Sequence, residues 1–419
     1  MNKKIWILGL QHVLAMYAGA IVVPLIIGNA LNFTTEQLSL LVSADLFTCG
    51  IATILQAQDV NKYIGIRLPV IMGCAFSAVP SMLVIGKHLG ILYIYGSIII
   101  SGIFIIALAS FFKTFARFFT PISVGLIITL IGLALIPVAI DNILGSYHSI
   151  NEINFLQNFG LAIGVIIFIV IANKYFNDFL KSIAVLLGLI FGTIIAIFLG
   201  IVDLSIISEA QWIHYVKPFN FGFPKFSLHG ILAMCLVSFI SLVESVGVFL
   251  VLGKISKQEI KDEHIIRGIR AEGIAQILGG IFNSFPYTTF SQNIGLIIMS
   301  KITDRKVGIC AGIILIILGM IPKVAALVTL IPGPILGGIM IPMFGLVTAY
   351  GIKIIQDSSL ENSNNLLIIA ITLGVSMGII FNQSKFEQAP DIIKILFSNG
   401  VLVGGIISIF LNIILNNKK

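Results

Sequence analysis

The sequence predicts an all-α protein that crosses a membrane many times. Of its 419 residues, 58% are hydrophobic and 10% are charged, and the mean hydropathy is +1.09. Soluble domains usually carry about a quarter charged residues. Apolar runs close to the roughly 20 residues that a helix needs to span a bilayer recur along the whole chain. We therefore expect a multi-pass protein of the cell membrane, with the lipid bilayer and not a nucleic acid as its partner.

Fourteen apolar segments approach this length, and the third, ninth and tenth are the shortest. The first, which begins MNKKIWILGL, is too long for the apolar region of a signal peptide and is interpreted as a span. Helices are expected near 5–28, 38–56, 69–86, 90–112, 119–140, 157–173, 182–202, 228–253, 268–284, 286–300, 307–328, 333–356, 364–382 and 393–415.

The distribution of basic residues supports fourteen spans. Lys and Arg are enriched in the cytoplasmic loops of membrane proteins. With the N-terminus in the cytoplasm and the loops alternating, all but six of the 25 Lys and Arg lie on the cytoplasmic side. Both termini are then cytoplasmic. The six outside are Lys87, Lys217, Lys225, Lys323, Lys385 and Lys394.

The longest connection, residues 203–227, lies near the middle of the chain and leaves seven predicted spans on each side. Because seven is odd, two equivalent halves must have opposite orientations in the membrane. The third span opens with Leu68-Pro69 and the tenth with Phe285-Pro286, at an offset close to that between the first and eighth spans. The sequence therefore predicts an inverted 7+7 repeat.

Residues 284–301, SFPYTTFSQNIGLIIMSK, interrupt the helical pattern around the tenth span. Pro286 disfavours helix at the preceding residue and removes a backbone donor, and hydrogen-bonding side chains crowd the positions that follow. Non-helical backbone at membrane depth is tolerated only inside protein or beside a wet cavity, and broken spans are typical of transporter substrate sites. The alternative is a re-entrant loop or a polar helix contact. The crowded residues are Tyr287, Thr288, Thr289, Ser291, Gln292 and Asn293.

Two acidic residues lie inside predicted spans. Glu244 has apolar-dominated sequence on both sides, where an ionised group costs at least about 2.5–3.5 kcal/mol on insertion scales. We expect it to accept hydrogen bonds from ligand N–H groups or to take up a proton, the alternative being a neutral residue bonded to a neighbouring helix. Glu272 is expected either to pair with Arg267 or Arg270, as a lock or gate, or to join a proton path.

Other polar residues within spans are weaker candidates. Asp45, in the second span, has no obvious partner and is interpreted as a helix-packing residue. Gln11 and His12 open the polar face of the first span. Because this span is the predicted repeat-mate of the one that carries Glu244, both are candidate binding residues.

No catalytic or cofactor motif is found in the sequence. The four cysteines lie in apolar runs without metal-ligand spacing, and no nucleotide-binding loop or Ser-His-Asp arrangement is present. We therefore expect neither an enzyme nor a metal or cofactor site, but a secondary transporter or a channel.

These residues resemble the nucleobase–ascorbate transporter family, also called nucleobase:cation symporter-2. Its signature reads QNxGxxxxT followed by Arg, Lys or Gly, and Ser300 replaces the Thr here. The opening QH segment and the eighth-span glutamate of the family also have counterparts, whereas Val248 stands where some xanthine transporters have another acid. The matching positions are Gln11, His12, Glu244, Gln292, Asn293, Gly295 and Lys301, with Glu272 where many members carry Asp.

The resemblance implies an architecture. It divides the chain into a core domain, residues 1–112 and 228–328, and a gate domain, residues 113–227 and 329–419. Spans 3 and 10 would contain short extended strands before half-helices. Relatives in bacteria usually couple transport to protons, although sodium is also possible here, and form homodimers through the gate domain.

The resemblance also implies a substrate site. The base would lie between Glu244, Gln292 and the backbone near Phe76, with Ser291 and Asn293 beside it. Glutamine offers both a donor and an acceptor, which suits xanthine or uric acid, whereas uracil transporters of the family typically have glutamate there. We expect xanthine first, uric acid second and uracil third. An anion exchanger or channel of the same architecture and a membrane receptor or scaffold are the competing classes.

Overall fold

The computed structural model describes residues 3–58, 62–115, 120–145, 152–202, 204–209, 211–356, 358, 360–386 and 399–416. The first half contains α1 (Lys3–Ala30), α2 (Thr35–Ala57), β1 (Met72–Cys74), α3 (Val79–Leu89), α4 (Ile91–Ala109), α5 (Phe112–Phe115), α6 (Pro121–Leu144), α7 (Glu152–Tyr175), α8 (Asp178–Ser182), α9 (Ala184–Phe198) and α10 (Ser205–Glu209).

The second half contains α11 (Leu228–Ile255), α12 (Asp262–Ile281), β2 (Tyr287–Thr289), α13 (Ile294–Ser300), α14 (Lys306–Gly319), α15 (Pro322–Thr329), α16 (Gly333–Gln356), α17 (Ser363–Phe381) and α18 (Gly400–Asn416). Short 3₁₀ turns follow the strands at Phe76–Ala78 and Ser291–Asn293, and a third lies at Gln383–Phe386.

Eight helices within the described residues are long and apolar enough to cross a membrane: α1, α2, α4, α6, α7, α11, α16 and α17. The pair α14 and α15 would make a ninth span, but it is bent by 79°. The apolar helices α9 and α18 are shorter, and residues 393–398 of the last predicted span lie outside the described part of the chain. The protein is thus mostly helical with several spans.

Three of the predicted helices differ from those observed. Residues 69–86 and 286–300 each begin as extended chain, because Pro69 and Pro286 oppose helix at their start, and only α3 and α13 are helical. Residues 307–328 form two helices, since Pro322 begins α15 rather than continuing α14. The predicted extended segments in spans 3 and 10 are confirmed as strands β1 and β2.

The two strands cross as an antiparallel pair inside the helical bundle. Met72 pairs with Thr289, Gly73 with Thr288 and Cys74 with Tyr287. All six residues are buried, and the backbone N–H of Ala75 donates to the carbonyl of Pro286 at 2.8 Å. Because strand pairing satisfies polar backbone groups that have left the helix, extended chain can exist at this depth.

Two pairs of long helices pack in a similar way on either side of the crossing. Helix α2 packs along α14, and α4 packs along α12. A Cβ at Gly50 of α2 would lie 2.5 Å from the carbonyl oxygen of Gly312 on α14, and one at Gly102 of α4 would lie 2.6 Å from that of Gly273 on α12. Glycine therefore permits backbone-to-backbone contact at both crossings.

Candidate substrate site

The strand crossing is held against α11 by a group of hydroxyl side chains. Ser245 Oγ and Thr288 Oγ1 lie 2.9 Å apart, and the Thr289 backbone N–H donates to Ser245 Oγ at 3.2 Å. Thr288 Oγ1 also donates to the carbonyl of Ser241 at 3.3 Å. On the other strand segment, Ser77 Oγ lies 2.7 Å from Ser241 Oγ. These bonds fix both broken spans to the helix that carries Glu244.

Glu244 lies midway along α11 and is 9% exposed. Its carboxyl group lies near the Ser291 side chain, in the 3₁₀ turn after β2. The carboxyl group and the start of the half-helix α13 are therefore neighbours. A carboxylate in this position can accept hydrogen bonds from the N–H groups of a planar ligand.

Glu272 is fully buried on α12, next to the Ser245 hydroxyl and close enough to Glu244 for their charges to interact. Ser245 Oγ accepts a hydrogen bond from Thr289 Oγ1 and shares one with Thr288 Oγ1. Neither carboxylate oxygen of Glu272 accepts a hydrogen bond from a described residue, so the hydrogen-bonded pair with Arg267 or Arg270 is not formed in this conformation. Two acidic groups thus lie near Ser245, which bonds to the strand crossing.

Asn293 connects the half-helix to α1. Its Nδ2 donates to the carbonyl of His12 at 3.3 Å, while its Oδ1 has no partner among the described residues. Both residues are 2% exposed, and His12 Nδ1 is likewise without a described partner. Gln11 is half-buried on the preceding position of α1. The first span therefore contacts the site through its backbone.

An aromatic group closes the other side of the crossing. The Phe76 ring packs against Phe290 with centroids 6.0 Å apart and edge-on against Phe344 of α16 at 5.1 Å. Phe290 fits between two glycines, because a Cβ on Gly19 or Gly73 would contact its ring. An aromatic ring in this position can contact a flat heterocycle by stacking on its face or by an edge-to-face contact.

A cavity of about 450 Å³ begins at Phe290 and runs between α1, α8, α13 and α16. It does not reach Glu244, but Gly19, Phe290 and Gly295 line its inner end, and Asp178 and Lys181 lie among its remaining lining residues. The volume is of the size that holds a small organic molecule. The cavity therefore adjoins the strand crossing at Phe290 without including Glu244.

The structure corrects the interpretation of Asp45 as a helix-packing residue. Its Oδ1 accepts hydrogen bonds from Ser284 Oγ at 2.7 Å, Tyr287 Oη at 2.9 Å and Cys74 Sγ at 2.9 Å. These partners belong to the two strand segments and not to a neighbouring helix. The sequence carried one signal, an acidic residue within an apolar span, but nothing that identified its partners.

The backbone of Gln292 lies in the 3₁₀ turn between Ser291 and Asn293, whereas its side chain lies outside the described part of the structure. The sequence-predicted residues Glu244, Ser291, Asn293 and Phe76 lie around one strand crossing. Among the described residues, no group of three His, Cys, Asp or Glu side chains could hold a metal ion. The arrangement offers a hydrogen-bonding carboxyl, amides and aromatic rings.

The fold is similar to that of solved transporters. The transmembrane domain of the cyanobacterial bicarbonate transporter BicA superposes with a TM-score of 0.62 over 97% of this chain and 98% of that chain, at 15% identity. The murine SLC26A9 anion transporter in its inward-facing state gives 0.62 over 97% and 68%, at 12% identity. At such low identity these likenesses concern the fold alone.

Relatives in sequence cover nearly the whole chain. A nucleobase transporter of Paenibacillus larvae is 51% identical over 411 residues, 98% of this chain and 94% of the relative. A xanthine permease of Bacillus subtilis is 44% identical over 98% of this chain and 93% of its own length, and the uric acid permease PucK of the same organism is 44% identical over 99% and 96%.

The profile of a permease family matches residues 3–385. The matched range includes the strand crossing, Glu244 and the signature around Asn293. Together with relatives of more than 40% identity along the whole chain, the match makes the protein a transporter and not an enzyme. The chain therefore belongs to this permease family, the nucleobase–ascorbate transporter family.

Proposed function

We propose that this protein is a secondary active transporter that imports a purine nucleobase, with xanthine as its main substrate. The observation that carries the proposal is the position of the Glu244 carboxyl near Ser291, in the turn between strand β2 and the half-helix α13. Such a break supplies free backbone groups and a carboxyl to a flat ligand rich in N–H and C=O groups.

The choice of base is assigned to Gln292. Its amide can donate to a carbonyl of the base and accept from an adjacent N–H, and xanthine and uric acid both offer such a pair. A glutamate at this position could only accept when ionised. Because relatives named xanthine permease and uric acid permease are equally similar at 44% identity, uric acid is the second candidate. Uracil is the third.

The remaining contacts of the base are assigned to the residues around the crossing. Phe76 stacks against the ring, and the backbone near it hydrogen-bonds to the base. Ser291 and Asn293 position the half-helix α13, while His12 and Gln11 complete the wall on the side of α1. These assignments are supported by two contacts around the crossing: Asn293 bonds to the backbone of His12, and Phe76 packs on Phe290.

Proton coupling is assigned to Glu244 and Glu272. A buried carboxyl that binds the base directly can link binding to protonation, because the neutral and ionised forms make different hydrogen bonds. Glu272 lacks a described hydrogen-bond partner and lies close to Glu244, which suits a second proton site or a gate. Sodium is the alternative coupling ion.

Transport is proposed to proceed by movement of the core domain, residues 1–112 and 228–328, against the gate domain, residues 113–227 and 329–419. These domains would form fourteen spans in an inverted 7+7 repeat. The glycine contacts support the repeat, because the packing of α2 on α14 through Gly50 and Gly312 corresponds to that of α12 on α4 through Gly273 and Gly102.

The protein is placed in the cell membrane with both termini cytoplasmic, as a homodimer through the gate domain. The bias of Lys and Arg toward the same side supports this orientation. In that orientation Asp178 and Lys181, which line the cavity, lie on the cytoplasmic side, and the cavity is the exit path of the base.

Uptake of radiolabelled xanthine tests the proposal in cells that lack their own purine permeases. Unlabelled uric acid, uracil, hypoxanthine and guanine serve as competitors, and each condition is repeated with a protonophore. We expect uptake of xanthine that uric acid competes for more strongly than uracil does, and that collapses with the proton gradient.

Each result has a separate meaning. Strong uracil uptake without xanthine uptake would reject the role of Gln292 but keep the nucleobase class. Xanthine accumulation that persists with the protonophore but requires sodium would show that sodium, and not the proton, is the coupling ion. Absence of all nucleobase transport, in protein shown to reach the membrane, would reject the proposed function.

A further inference from the structure

Asp45 connects both strands of the crossing through a single oxygen atom. Cys74 of β1 and Tyr287 of β2 are register partners in the antiparallel ladder. Both donate to Asp45 Oδ1, each at 2.9 Å. Ser284, just before β2, donates to the same oxygen at 2.7 Å, and Tyr287 Oη also lies 3.0 Å from the Asp45 carbonyl. One cross-strand pair is thus fixed to α2 at one point.

The ladder is also fixed to α11. Tyr287 bonds to Asp45 of α2, whereas the two residues that follow it, Thr288 and Thr289, bond to Ser245 of α11, and Thr288 also donates to the Ser241 carbonyl. The crossing therefore lies between two polar attachments. The α11 attachment adjoins Glu244 at Ser245. The α2 attachment consists of the Asp45 side chain, which bonds to side chains of both strand segments, and of Thr53 and Cys49, which bond to the Met72 backbone of β1 at 3.1 and 2.7 Å.

The chain leads from these bonds directly into the proposed site. Phe76 follows Cys74 by two residues, and Ser291 follows Tyr287 by four. Asp45 is 1% exposed, and its Oδ1 accepts from three protein donors, so it acts on the proposed site through the strand segments. A displacement of the ladder would move the Phe76 and Ser291 segments together, relative to the Glu244 carboxyl.

We propose that Asp45 is a positioning residue for the substrate site, whose hydrogen bonds set the register and depth of the strand crossing against Glu244. The inference rests on the proposed function, because it assumes that the crossing holds the base. Oδ1 alone accepts the hydrogen bonds that position the strands, since Oδ2 of Asp45 has no partner among the described residues. An amide oxygen at the same position can accept the same bonds, although bonds to an ionised acceptor are stronger.

Transport kinetics of three variants and one control test this role. Asp45→Ala removes the acceptor, Asp45→Asn keeps it, and Tyr287→Phe removes one of the three donors. Thr48→Val is the matched control, because Thr48 is also fully buried on α2 and, among the described residues, its hydroxyl bonds within its own helix, to the carbonyl of Ala44 at 2.8 Å. KM and maximal rate are measured separately, at equal amounts of protein in the membrane.

We expect Asp45→Ala to raise KM for the transported base about tenfold or more, because misplacing a binding group by about 1 Å can cost up to a hundredfold. The KM of Asp45→Asn should stay within about threefold of the parental KM. The KM of Tyr287→Phe should lie between those of Asp45→Asn and Asp45→Ala. Thr48→Val should leave KM unchanged. A merely structural role would instead lower the amount of folded protein, and with it the maximal rate.

Alkylation of Cys74 gives a second measurement that does not depend on transport. Cys74 is buried and bonded to Asp45, and the measurement uses protein whose other cysteines, Cys49, Cys235 and Cys310, are replaced by serine. We expect a membrane-permeant maleimide to leave Cys74 unmodified in that background and after Asp45→Asn, but to modify it after Asp45→Ala or Tyr287→Phe, because the crossing is then loosened.

The outcomes separate the two proposals. If the parent transports no nucleobase, the proposed function fails and the alkylation of Cys74 alone decides the role of Asp45. If Asp45→Ala does not reach the membrane, Tyr287→Phe decides it. Parental KM together with unmodified Cys74 in a folded variant would overturn the inference, as would an Asp45→Asn variant as impaired as Asp45→Ala.

Discussion

Replacement of Gly73 by alanine should disturb the substrate site without changing any polar group. Gly73 is the central residue of β1 and is paired with Thr288 of β2. A Cβ at this position would lie 2.5 Å from Phe290 Cδ2, 3.1 Å from Cε2 and 3.4 Å from Cγ. Carbon atoms in contact are normally about 3.5–4.0 Å apart. The Phe290 ring must therefore move by about 1 Å.

The ring has little room for this movement. Gly19 lies against its other side, and Phe76 packs on it with centroids 6.0 Å apart. Overpacking of a core by one methyl group typically costs about 1–3 kcal/mol of stability. Since Ser291 follows Phe290 directly, the displaced ring also moves the segment beside Glu244. We expect KM for the base to rise about tenfold or more.

Uptake kinetics and thermal unfolding of the purified protein would measure both effects. Gly374→Ala is the control, because Gly374 is exposed on α17 and a Cβ there has no atom within 4 Å. Phe290→Leu in the Gly73→Ala background removes the clash and should restore part of the lost affinity and stability. A Gly73→Ala protein with parental KM and melting temperature would refute the fit of Phe290 described above.

Three further predictions concern coupling, selectivity and packing. Glu244→Gln should abolish proton-driven accumulation, and concentrative uptake that persists unchanged would reject the coupling assignment. Gln292→Glu should weaken xanthine binding more than uracil binding in competition assays, and the opposite order would reject the specificity argument. Gly312→Val should lower stability by about 1–3 kcal/mol through contact with the Gly50 carbonyl, with Gly374→Val as the control, and equal melting temperatures would contradict the close packing of α2 on α14.

Local chemistry made the broken span predictable from the sequence. Pro286, followed by a cluster of hydroxyl and amide side chains, predicts a departure from helix within an apolar region, and β2 lies at that place. The resemblance carried by Gln292 and Asn293 added the matching strand in span 3, where β1 lies. Both signals are contained within a few residues of chain.

Features that depend on distant residues were not predictable in this way. Asp45 bonds to Cys74, 29 residues away, and to Tyr287, 242 residues away, and nothing in the sequence near Asp45 indicates either partner. The helices expected at 69–86 and 286–300 are helical only in their second halves, because the short apolar stretch at the start of each fits a buried strand as well as a helix. The bend between α14 and α15 did have a local signal in the sequence, Pro322 itself. The prediction of one helix over 307–328 missed it because it counted only apolar residues.

The glycine contacts illustrate the same limit. Gly50 and Gly102 were visible as glycines within predicted spans, but their partners Gly312 and Gly273 are brought to them by the packing of α14 and α12. A glycine in an apolar helix is consistent with close packing, with a bend or with chance. Only the fold distinguishes these cases.

An experimental structure with xanthine bound would test the central claim most directly. We expect the base at the strand crossing, with an N–H within hydrogen-bonding distance of the Glu244 carboxyl, the Gln292 amide at its edge and its ring against Phe76. Xanthine bound instead in the cavity beside Asp178 and Lys181, with Glu244 making no contact to it, would contradict the assignment of the site.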